Sequence, residues 1–340
     1  MQPFFIGQAT IVCGLFLLTL AAVQVTAEEN SSPIVIAHRG ASAYLPEHTL
    51  PAKALAYGMG ADFLEQDVVL TADGHPIVVH DIHLERVTDV AERFPGRARA
   101  DGRFYALDFT LKEIRLLRVR ERTTADAKKR VYANRFPLGL SRFSLHTLSE
   151  EIEFIQGLNQ ATGKSVGIYT EIKEPRWHRE QGCDISRVIV ETLKRYGYID
   201  KSSAAFVQCF DVAELRRVRE ELDCHLRLVQ LLAQRDVEQD DDGDFVLSEG
   251  KIDLKTLGQY ASGIGPDYQL LRHDGFGPKG RWSGLVDQAH AAGLVVHPYT
   301  LRADRLPLGV TDIQTLANLL VTDGKVDGFF TDHPDRVRVR

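Results

Sequence analysis

The sequence predicts an α/β fold, and within that class a (β/α)8 TIM barrel, in which eight parallel strands alternate with helices. Three observations support this prediction. Short apolar segments recur along the chain with helical patterns between them. Polar and charged residues stand where several of these segments end. The chain has 340 residues, which is enough for a barrel that typically takes about 250.

The predicted strands are apolar runs that end at glycine or at polar residues. They begin at Ile34, Phe63, Val166, Ala204, Leu226, Gly263, Leu294 and Val326. The predicted helices lie near 48–59, 148–160, 185–196, 211–222, 254–260, 282–292 and 313–320, and Asp211 is the expected N-cap of the fourth. This alternation is what parallel strands joined by crossover helices require.

An antiparallel hairpin is predicted directly after the second strand. Residues 71–76 are too few for a parallel crossover, and Asp73-Gly74 is a typical hairpin turn. The segment 77–80 should therefore run back along the second strand. This return brings His80 close to Glu65 and Asp67.

Residues 82–147 interrupt the alternation of strands and helices. They are rich in arginine, phenylalanine and turn residues, with one helix predicted near 110–117. We expect a small inserted subdomain that covers the substrate or forms a second lobe. The acidic stretch 236–249 is predicted to be a solvated loop.

The N-terminal segment carries an apolar run from Ile11 to Val25. The run is shorter than the roughly 20 residues of a membrane-spanning helix, and Val25-Thr26-Ala27 is typical of a signal-peptide cleavage site. We therefore predict a signal peptide at 1–27, an exported domain at 28–340, and no stable membrane insertion after cleavage. Because no Lys or Arg precedes the run, an uncleaved anchor is the alternative.

The composition is that of a soluble globular protein, with 44% hydrophobic and 26% charged residues. A net charge of -6, without a basic stripe, argues against a nucleic-acid partner. Cleavage would leave Cys183, Cys209 and Cys224, which allow at most one intramolecular disulfide and leave its pairing open. Cys209 lies in a predicted strand and is expected to be a buried, inert thiol.

A barrel places its working residues at the C-terminal ends of its strands. His38 follows the first strand, and Glu65 and Asp67 share one face of the second because side chains alternate along a strand. Glu171 has the same placement on the third strand. The residues expected to bind substrate at these ends are Arg39, Lys173, Gln208, Phe210, His297 and Tyr299.

Three converging carboxylates without an obvious set of positive partners would repel one another, and a hard divalent cation removes this repulsion. Oxygen ligands favour Ca²⁺ or Mg²⁺ over Zn²⁺. Histidines, Arg and Lys beside such an ion suit a phosphate substrate, since cations neutralise phosphoryl oxygens and histidines transfer protons. The alternative is that Glu65 and Asp67 are ordinary charges, that Glu171 and Lys173 form a simple salt bridge, and that His80 is a surface histidine.

In eight motifs the chain resembles the periplasmic glycerophosphodiester phosphodiesterases of bacteria. The motifs are His38-Arg39-Gly40-Ala41, Pro46-Glu47-His48-Thr49, Glu65-x-Asp67, His80-Asp81, Glu171-Ile172-Lys173, Gln208-Cys-Phe-Asp211, His297-Pro-Tyr-Thr300 and Phe330-Thr-Asp-His-Pro334. They span nearly the whole chain after the N-terminal segment. The departures are Gln66, where many relatives have Leu, and His333, where Phe is common.

The resemblance implies a periplasmic enzyme that hydrolyses glycerophosphodiesters to sn-glycerol 3-phosphate and an alcohol such as choline, ethanolamine or glycerol. The matched positions are Glu65, Asp67 and Glu171 for the metal, His38 and His80 for acid–base catalysis, and Arg39 and Lys173 for phosphate. Ca²⁺ is the expected ion, with Mg²⁺ as the alternative. The acid and base assignment, direct water attack against a cyclic phosphate route, and the oligomeric state, a homodimer included, stay open.

Two other functions are weighed against this one. A phospholipase of the C or D type on intact lipids would need an apolar rim, and the insertion is mixed polar and aromatic. A non-catalytic envelope binding protein would have lost some acid–base or ligand residues, and here every candidate position is occupied.

Overall fold

The structure is a computed structural model, and it describes residues 1, 32–125, 129–240 and 243–338. The predicted signal peptide, apart from Met1, lies outside the described residues. In the described part, no helix combines the length and apolar character needed to cross a bilayer. The cysteines Cys183, Cys209 and Cys224 are free thiols, and Cys209 is buried as expected.

The fold begins with two buried parallel strands and a hairpin. β1 (Ile34–Ala37) leads through helix α1 (Leu50–Gly58) to β2 (Phe63–Leu70). β3 (Pro76–Val78) then pairs antiparallel with β2. The chain therefore runs back along the last residues of β2, and the Val79 N–H donates to the carbonyl of Asp67 at the mouth of the barrel.

The inserted segment packs around a hydrophobic cluster of its own. It contains two short helices, α2 (Val90–Arg93) and α3 (Leu111–Ile114), the second of which begins with a capping box between Thr110 and Glu113. The buried side chains of the cluster are Val69, Ile77, Val79, Leu84, Val87, Val90, Phe104, Ala106, Phe109, Ile114, Leu117, Val119 and Leu145. Since Val69 and Ile77 belong to β2 and β3, the insertion packs on the hairpin.

Strands and helices alternate again after the insertion. The elements are α4 (Leu148–Thr162), β4 (Gly167–Ile172), α5 (Pro175–Glu180), α6 (Ile185–Arg195), β5 (Ala205–Cys209), α7 (Val212–Glu220) and β6 (Arg227–Leu232). Asp211 caps α7 as predicted, because its side chain accepts a hydrogen bond from the Glu214 N–H. Helix α5 was not predicted, although it starts at a proline, which favours the first turn of a helix.

A small antiparallel sheet follows β6, where a solvated loop was predicted. Its strands are β7 (Val237–Gln239), β8 (Phe245–Leu247) and β9 (Ile252–Asp253). The prediction was wrong because the three apolar residues of β8 are buried, although the residues around them are acidic.

The remaining elements complete the barrel. They are α8 (Leu254–Leu257), β10 (Gly263–Pro266), β11 (Arg272–His273), β12 (Arg281–Trp282), α9 (Leu285–Ala291), β13 (Val295–Val296), α10 (Ile313–Asn318) and β14 (Gly328–Thr331). Each strand of the barrel begins within two residues of its predicted start.

Eight parallel strands form the barrel, in the order β13, β10, β6, β5, β4, β2, β1, β14. Hydrogen bonds between the two ends of this series nearly close it. The Asp327 N–H donates to the Val296 carbonyl at 3.0 Å, and the Leu301 N–H to the Phe330 carbonyl at 2.8 Å. The predicted (β/α)8 barrel is confirmed.

Aromatic rings fill the barrel interior below its mouth. The buried members of this cluster are Ile36, Phe63, Tyr169, Phe206, Val229 and Phe330. Tyr169 stacks on Phe206 with ring centroids 4.6 Å apart. Because inward-facing positions recur every second residue, the next inward positions on these strands lie at the mouth. They are polar except for Leu231 on β6.

Candidate active site

Three carboxylates meet at the mouth of the barrel. Asp67 on β2 and Glu171 on β4 are partners in the strand register, and Glu65 lies two residues before Asp67 on the same face. One oxygen from each carboxylate lies within 4.8 Å of the other two, and all three residues are buried. The structure therefore brings the three predicted metal ligands together.

The three acids perturb one another's ionisation. Burial, with the charge of Asp67 added, raises the pKa of Glu65 well above its usual range. Burial and the same neighbour raise the pKa of Glu171 to about 8, although Lys173 opposes the shift. Burial would also raise the pKa of Asp67, but the charge of Lys173 and the hydrogen bond from His48 outweigh it and hold that pKa well below the usual range. The cluster thus disfavours three simultaneous negative charges.

Two cations contact the acids, which corrects the expectation that the cluster has no obvious positive partners. Nζ of Lys173 lies 2.6 Å from Oε1 of Glu171 and 3.6 Å from Oδ1 of Asp67. Nε of Arg39 lies 3.4 Å from Oδ2 of Asp67. The alternative that Glu171 and Lys173 form a salt bridge is therefore met in this structure, whereas the ion pair between Arg39 and Asp67 was not anticipated from the sequence.

The donor set fits a hard divalent cation. The three candidate ligands are all carboxylates, and Oδ1 of Asp67 and Oε1 of Gln208 are buried without a hydrogen-bond partner. Oxygen donors of this kind suit Ca²⁺ or Mg²⁺. Two acids are also held in place, since Nε2 of Gln208 donates to Glu65 at 3.1 Å and Nε2 of His48 lies 2.7 Å from Asp67.

The turn after β1 positions a backbone donor on the cluster. The Arg39 N–H donates to Oε2 of Glu65 at 2.7 Å, and Arg39 has a left-handed φ of 60°. Gly40 follows with φ of 85°, and a Cβ there would lie 2.9 Å from backbone atoms of Ala52 in α1. Only glycine fits this close approach, so the turn is locked against the helix.

Each candidate catalytic histidine has a carboxylate at Nδ1. Nδ1 of His38 lies 2.6 Å from Oδ1 of Asp332, and Nδ1 of His80 lies 2.5 Å from Oδ1 of Asp81. Burial would raise the pKa of both aspartates, but neighbouring arginine and histidine side chains hold each pKa below its usual range. Both carboxylates are therefore ionised and accept the Nδ1–H, which leaves Nε2 of each ring for proton exchange.

Burial also keeps the two imidazoles neutral in this structure. It lowers the pKa of His38 to about 4 and the pKa of His80 to about 3, and the positive charge of Arg39 acts in the same direction on both rings. A neutral ring with Nδ1–H has a free lone pair on Nε2. Both histidines are thus set to accept a proton.

Both histidines line one cavity of about 170 Å³. Its lining residues are His38, Arg39, Glu65, His80, Glu171, Gln208, Phe210, Leu231, Tyr299, Thr300, Arg302 and Phe330. An adjoining cavity of about 320 Å³ shares Glu171 and Phe210 with it and adds Lys173. All predicted site residues except Asp67 and His297 therefore line these two cavities.

The two exceptions have different positions. Asp67 is fully buried within the carboxylate cluster. The structure does not bring His297 to the cavity, because the ring lies in the aromatic interior with Nδ1 3.0 Å from the hydroxyl of Tyr169. Its strand-end position in the sequence did not reveal that the ring points below the mouth.

Sequence reasoning assigned no role to the charged residues behind the histidines. Oδ2 of Asp332 accepts from Nη2 of Arg135 at 2.6 Å and from Nε of Arg302 at 2.8 Å. Oδ2 of Asp81 accepts from Nη1 of Arg122 at 2.6 Å. Asp332 follows the last barrel strand and was within reach of strand-end reasoning. Arg122 and Arg135 belong to the insertion, which has no periodicity to mark them.

Comparison with known proteins adds a family and several relatives. The family model described as "Glycerophosphoryl diester phosphodiesterase family" matches residues 38–336. The glycerophosphodiester phosphodiesterase of Haemophilus influenzae is 44% identical, with 90% of this chain and 89% of the relative covered. The protein of the same name from Treponema pallidum is 38% identical, with 90% of each chain covered.

Two solved structures share the fold. A glycerophosphodiester phosphodiesterase from Agrobacterium tumefaciens has a TM-score of 0.57 at 20% identity, covering 89% of this chain and 97% of that one. An Oleispira antarctica phosphodiesterase, solved with the product sn-glycerol-3-phosphate, has a TM-score of 0.58 at 21% identity, covering 90% and 95%. At these identities the similarity establishes the barrel fold.

Proposed function

The chain belongs to the glycerophosphoryl diester phosphodiesterase family and is a glycerophosphodiester phosphodiesterase, and from that premise we propose how it acts. It hydrolyses glycerophosphodiesters to sn-glycerol 3-phosphate and an alcohol, with one divalent cation and two histidines. The observation that best supports this proposal is that His38 and His80 line the same cavity as Glu65 and Glu171. Proton-transfer groups and a cation site in one cavity suit phosphodiester hydrolysis.

Members of this family are metal-dependent, and Glu65, Asp67 and Glu171 would hold the ion here. Ca²⁺ is the proposed ion, with Mg²⁺ as the alternative. When bound, the cation supplies Lewis acidity that stabilises the negative charge developing on the phosphoryl group.

Arg39 and Lys173 bind the phosphoryl oxygens in this proposal. Both side chains lie beside the carboxylate cluster, where each contacts Asp67. In this structure Arg39 and Lys173 partly balance the negative charge of the carboxylates. A divalent cation there would take over part of this role, so that both side chains could contact an anionic substrate. Gln208, Phe210 and Tyr299 line the same cavity and contact the organic part of the substrate.

His38 and His80 transfer the protons through Nε2. One ring, neutral with a free lone pair on Nε2, removes a proton from the attacking oxygen. The other ring acts from its imidazolium form and gives its Nε2 proton to the leaving alcohol oxygen. If the glycerol hydroxyl attacks first and a cyclic phosphate forms, the two rings exchange roles in the second step. The carboxylates at Nδ1 hold the Nδ1–H of both rings, so Nε2 is the atom that gains or loses the proton in either role. We assign no substrate contact to His297.

Export to the periplasm is also proposed. The apolar run from Ile11 to Val25 and the small residues at 25–27 support it. N-terminal sequencing of the protein recovered from cells tests it. A chain that begins at Glu28 supports export with cleavage, whereas a chain that retains 1–27 supports the uncleaved anchor.

The function is tested by comparing substrates with the purified enzyme. Glycerophosphocholine, glycerophosphoethanolamine and intact phosphatidylcholine are each incubated with Ca²⁺ and with a chelator. The products measured are sn-glycerol 3-phosphate from the two diesters and phosphocholine or choline from the lipid. We expect sn-glycerol 3-phosphate from the two water-soluble diesters when Ca²⁺ is present, and none with the chelator. Turnover of only the intact lipid would overturn the substrate proposal. Absence of metal-dependent turnover on all three would favour a binding protein.

A further inference from the structure

The insertion reaches both catalytic histidines through a repeated arrangement of charges. In each case an arginine of the insertion contacts Oδ2 of an aspartate whose Oδ1 holds Nδ1 of a histidine. Arg122 contacts Asp81, which holds His80. Arg135 contacts Asp332, which holds His38. The two aspartates belong to different parts of the barrel, yet both arginines come from one inserted segment.

Each arginine is itself fixed by a second acid. Nε and Nη2 of Arg122 donate to Glu47 at 2.8 and 2.7 Å. Nε and Nη2 of Arg135 donate to Asp304 at 2.8 and 3.1 Å. Such bidentate pairs set the orientation of a planar guanidinium group. The side chains of Arg122 and Arg135 are only 9% and 5% exposed, so solvent does little to weaken these contacts.

We propose that Arg122 and Arg135 are positioning residues, through which the insertion orients the two catalytic histidines by holding Asp81 and Asp332. The proposal rests on the function proposed above and goes beyond it, because it makes the insertion part of the catalytic apparatus. A carboxylate that is held on both oxygens cannot rotate away from its imidazole. Nε2 of each ring then stays directed at the cavity, at the precision that proton transfer requires.

The two aspartates that hold the histidines do not have the same number of arginine partners. Among the ion pairs of the described residues, Asp332 has two arginines, Arg135 and Arg302, whereas Asp81 has Arg122 alone. The His80 side chain is also more exposed than that of His38, at 29% against 10%. Loss of Arg122 should therefore disturb proton transfer more than loss of Arg135.

The test measures kcat and KM for glycerophosphocholine with the Ca²⁺-loaded full chain and with Gln and Lys variants at 122 and 135. We expect Arg122→Gln to lower kcat by about 30-fold and Arg135→Gln by about 5-fold, each a part of the roughly 10²–10⁴-fold that acid–base catalysis supplies. KM should change by less than about 5-fold. Arg122→Lys should recover part of kcat, since an ammonium group can still reach one acid.

A matched control comes from the same insertion. Arg115 forms an exposed ion pair with Glu150 on α4, away from both histidines, and Arg115→Gln should leave kcat unchanged. A double-mutant cycle separates positioning from general stabilisation. If Arg122 acts through Asp81, Arg122→Gln costs less than about 3-fold in an Asp81→Asn background. A purely structural arginine would cost the same in both backgrounds.

The outcomes distinguish this inference from the proposed function. A wild-type protein that hydrolyses neither glycerophosphocholine nor glycerophosphoethanolamine refutes the proposed function. An active wild type with Arg122→Gln as active as Arg115→Gln, or altered in KM alone, refutes the positioning role and leaves the function intact. If circular dichroism shows that Arg122→Gln is not folded, Arg122→Lys takes its place. Its kcat and KM, and its double-mutant cycle with Asp81→Asn, are then interpreted by the same criteria.

Discussion

Asp67 and Glu171 are opposite one another in the register of two adjacent parallel strands. Neighbouring strands lie about 4.8 Å apart, so backbone hydrogen bonds hold these two carboxylates together whatever their ionisation. The repulsion between them is thus a fixed property of the sheet. A cation relieves it without any movement of the strands.

Removal of the divalent ion should abolish activity and lower stability. A chelator removes the charge that balances Glu65, Asp67 and Glu171, and added Ca²⁺ restores turnover. Ca²⁺ at about 100 times its Kd should stabilise the fold by about 2.7 kcal/mol, seen as a higher Tm in a thermal melt. Glu171→Gln serves as the comparison and should lose both the activity and the Ca²⁺-dependent rise in Tm. Full turnover in the chelator, with no shift in Tm, would contradict the metal site.

Loss of either candidate acid–base residue should leave a folded but impaired enzyme. We expect His38→Ala and His80→Ala each to lower kcat by about 10² or more. The exposed His225, which pairs with Asp223 on the surface, provides the control, and His225→Ala should retain wild-type kcat. Steady-state kinetics and circular dichroism measure the two properties. A His80→Ala variant with near wild-type kcat would show that His80 transfers no proton.

A buried ion network behind β2 should contribute strongly to stability. Oε1 of Glu151 lies 2.8 Å from Nζ of Lys53, and Oε2 lies 2.6 Å from Nε2 of His146. Glu151→Gln leaves the buried charge of Lys53 without its partner, so the free energy of unfolding should fall by roughly 3 kcal/mol. Urea denaturation measures the loss. Glu153→Gln, at an exposed position of α4, is the control and should change stability little.

The network also predicts the sign of an acid effect. Burial alone would raise the pKa of Glu151, but Lys53 and His146 outweigh it and lower the pKa to about 2 from 4.5. The stabilisation is therefore complete above about pH 4.5 and is lost as the pH falls towards 2. The Glu151→Gln variant should lack this component of acid destabilisation, and equal acid sensitivity in both proteins would contradict the network's role.

Glu121 in the insertion predicts the opposite pH dependence. Oε2 of this buried side chain has no hydrogen-bond partner, and burial, followed by the charge of Glu47, raises its pKa to about 8 from 4.5. Between these values the folded protein binds the proton that the unfolded chain releases, so stability falls as the pH rises through this window. Glu121→Gln should match the wild type near pH 4 and exceed its unfolding free energy at pH 9. The assignment would be contradicted if the variant and the wild type differed in unfolding free energy by the same amount at pH 4 and at pH 9.

Strand ends were the most informative feature of the sequence. Alternation along β2 and the short turn after it were enough to bring Glu65, Asp67 and His80 together before any coordinates were known. The same reasoning failed for His297, since a strand-end position does not tell whether a ring points into the mouth or into the interior. It also missed β8, because acidic neighbours concealed three buried apolar residues.

The insertion was the part least accessible from the sequence. Its hydrophobic cluster comes from loops and short helices without a regular period, so neither Arg122 nor Arg135 stood out. Their positions depend on long-range contacts with Glu47 and Asp304, which no local pattern encodes. Ion pairs of this kind become visible only once the chain is folded.

The aromatic cluster beneath the carboxylates has a consequence for how molecules enter and leave the site. Tyr169, Phe206 and Phe330 pack edge to face or stacked across the barrel, so traffic through the described barrel passes by the mouth. Under the proposed function, substrate, water and both products share that entrance, so we expect added sn-glycerol 3-phosphate to compete there with the next diester.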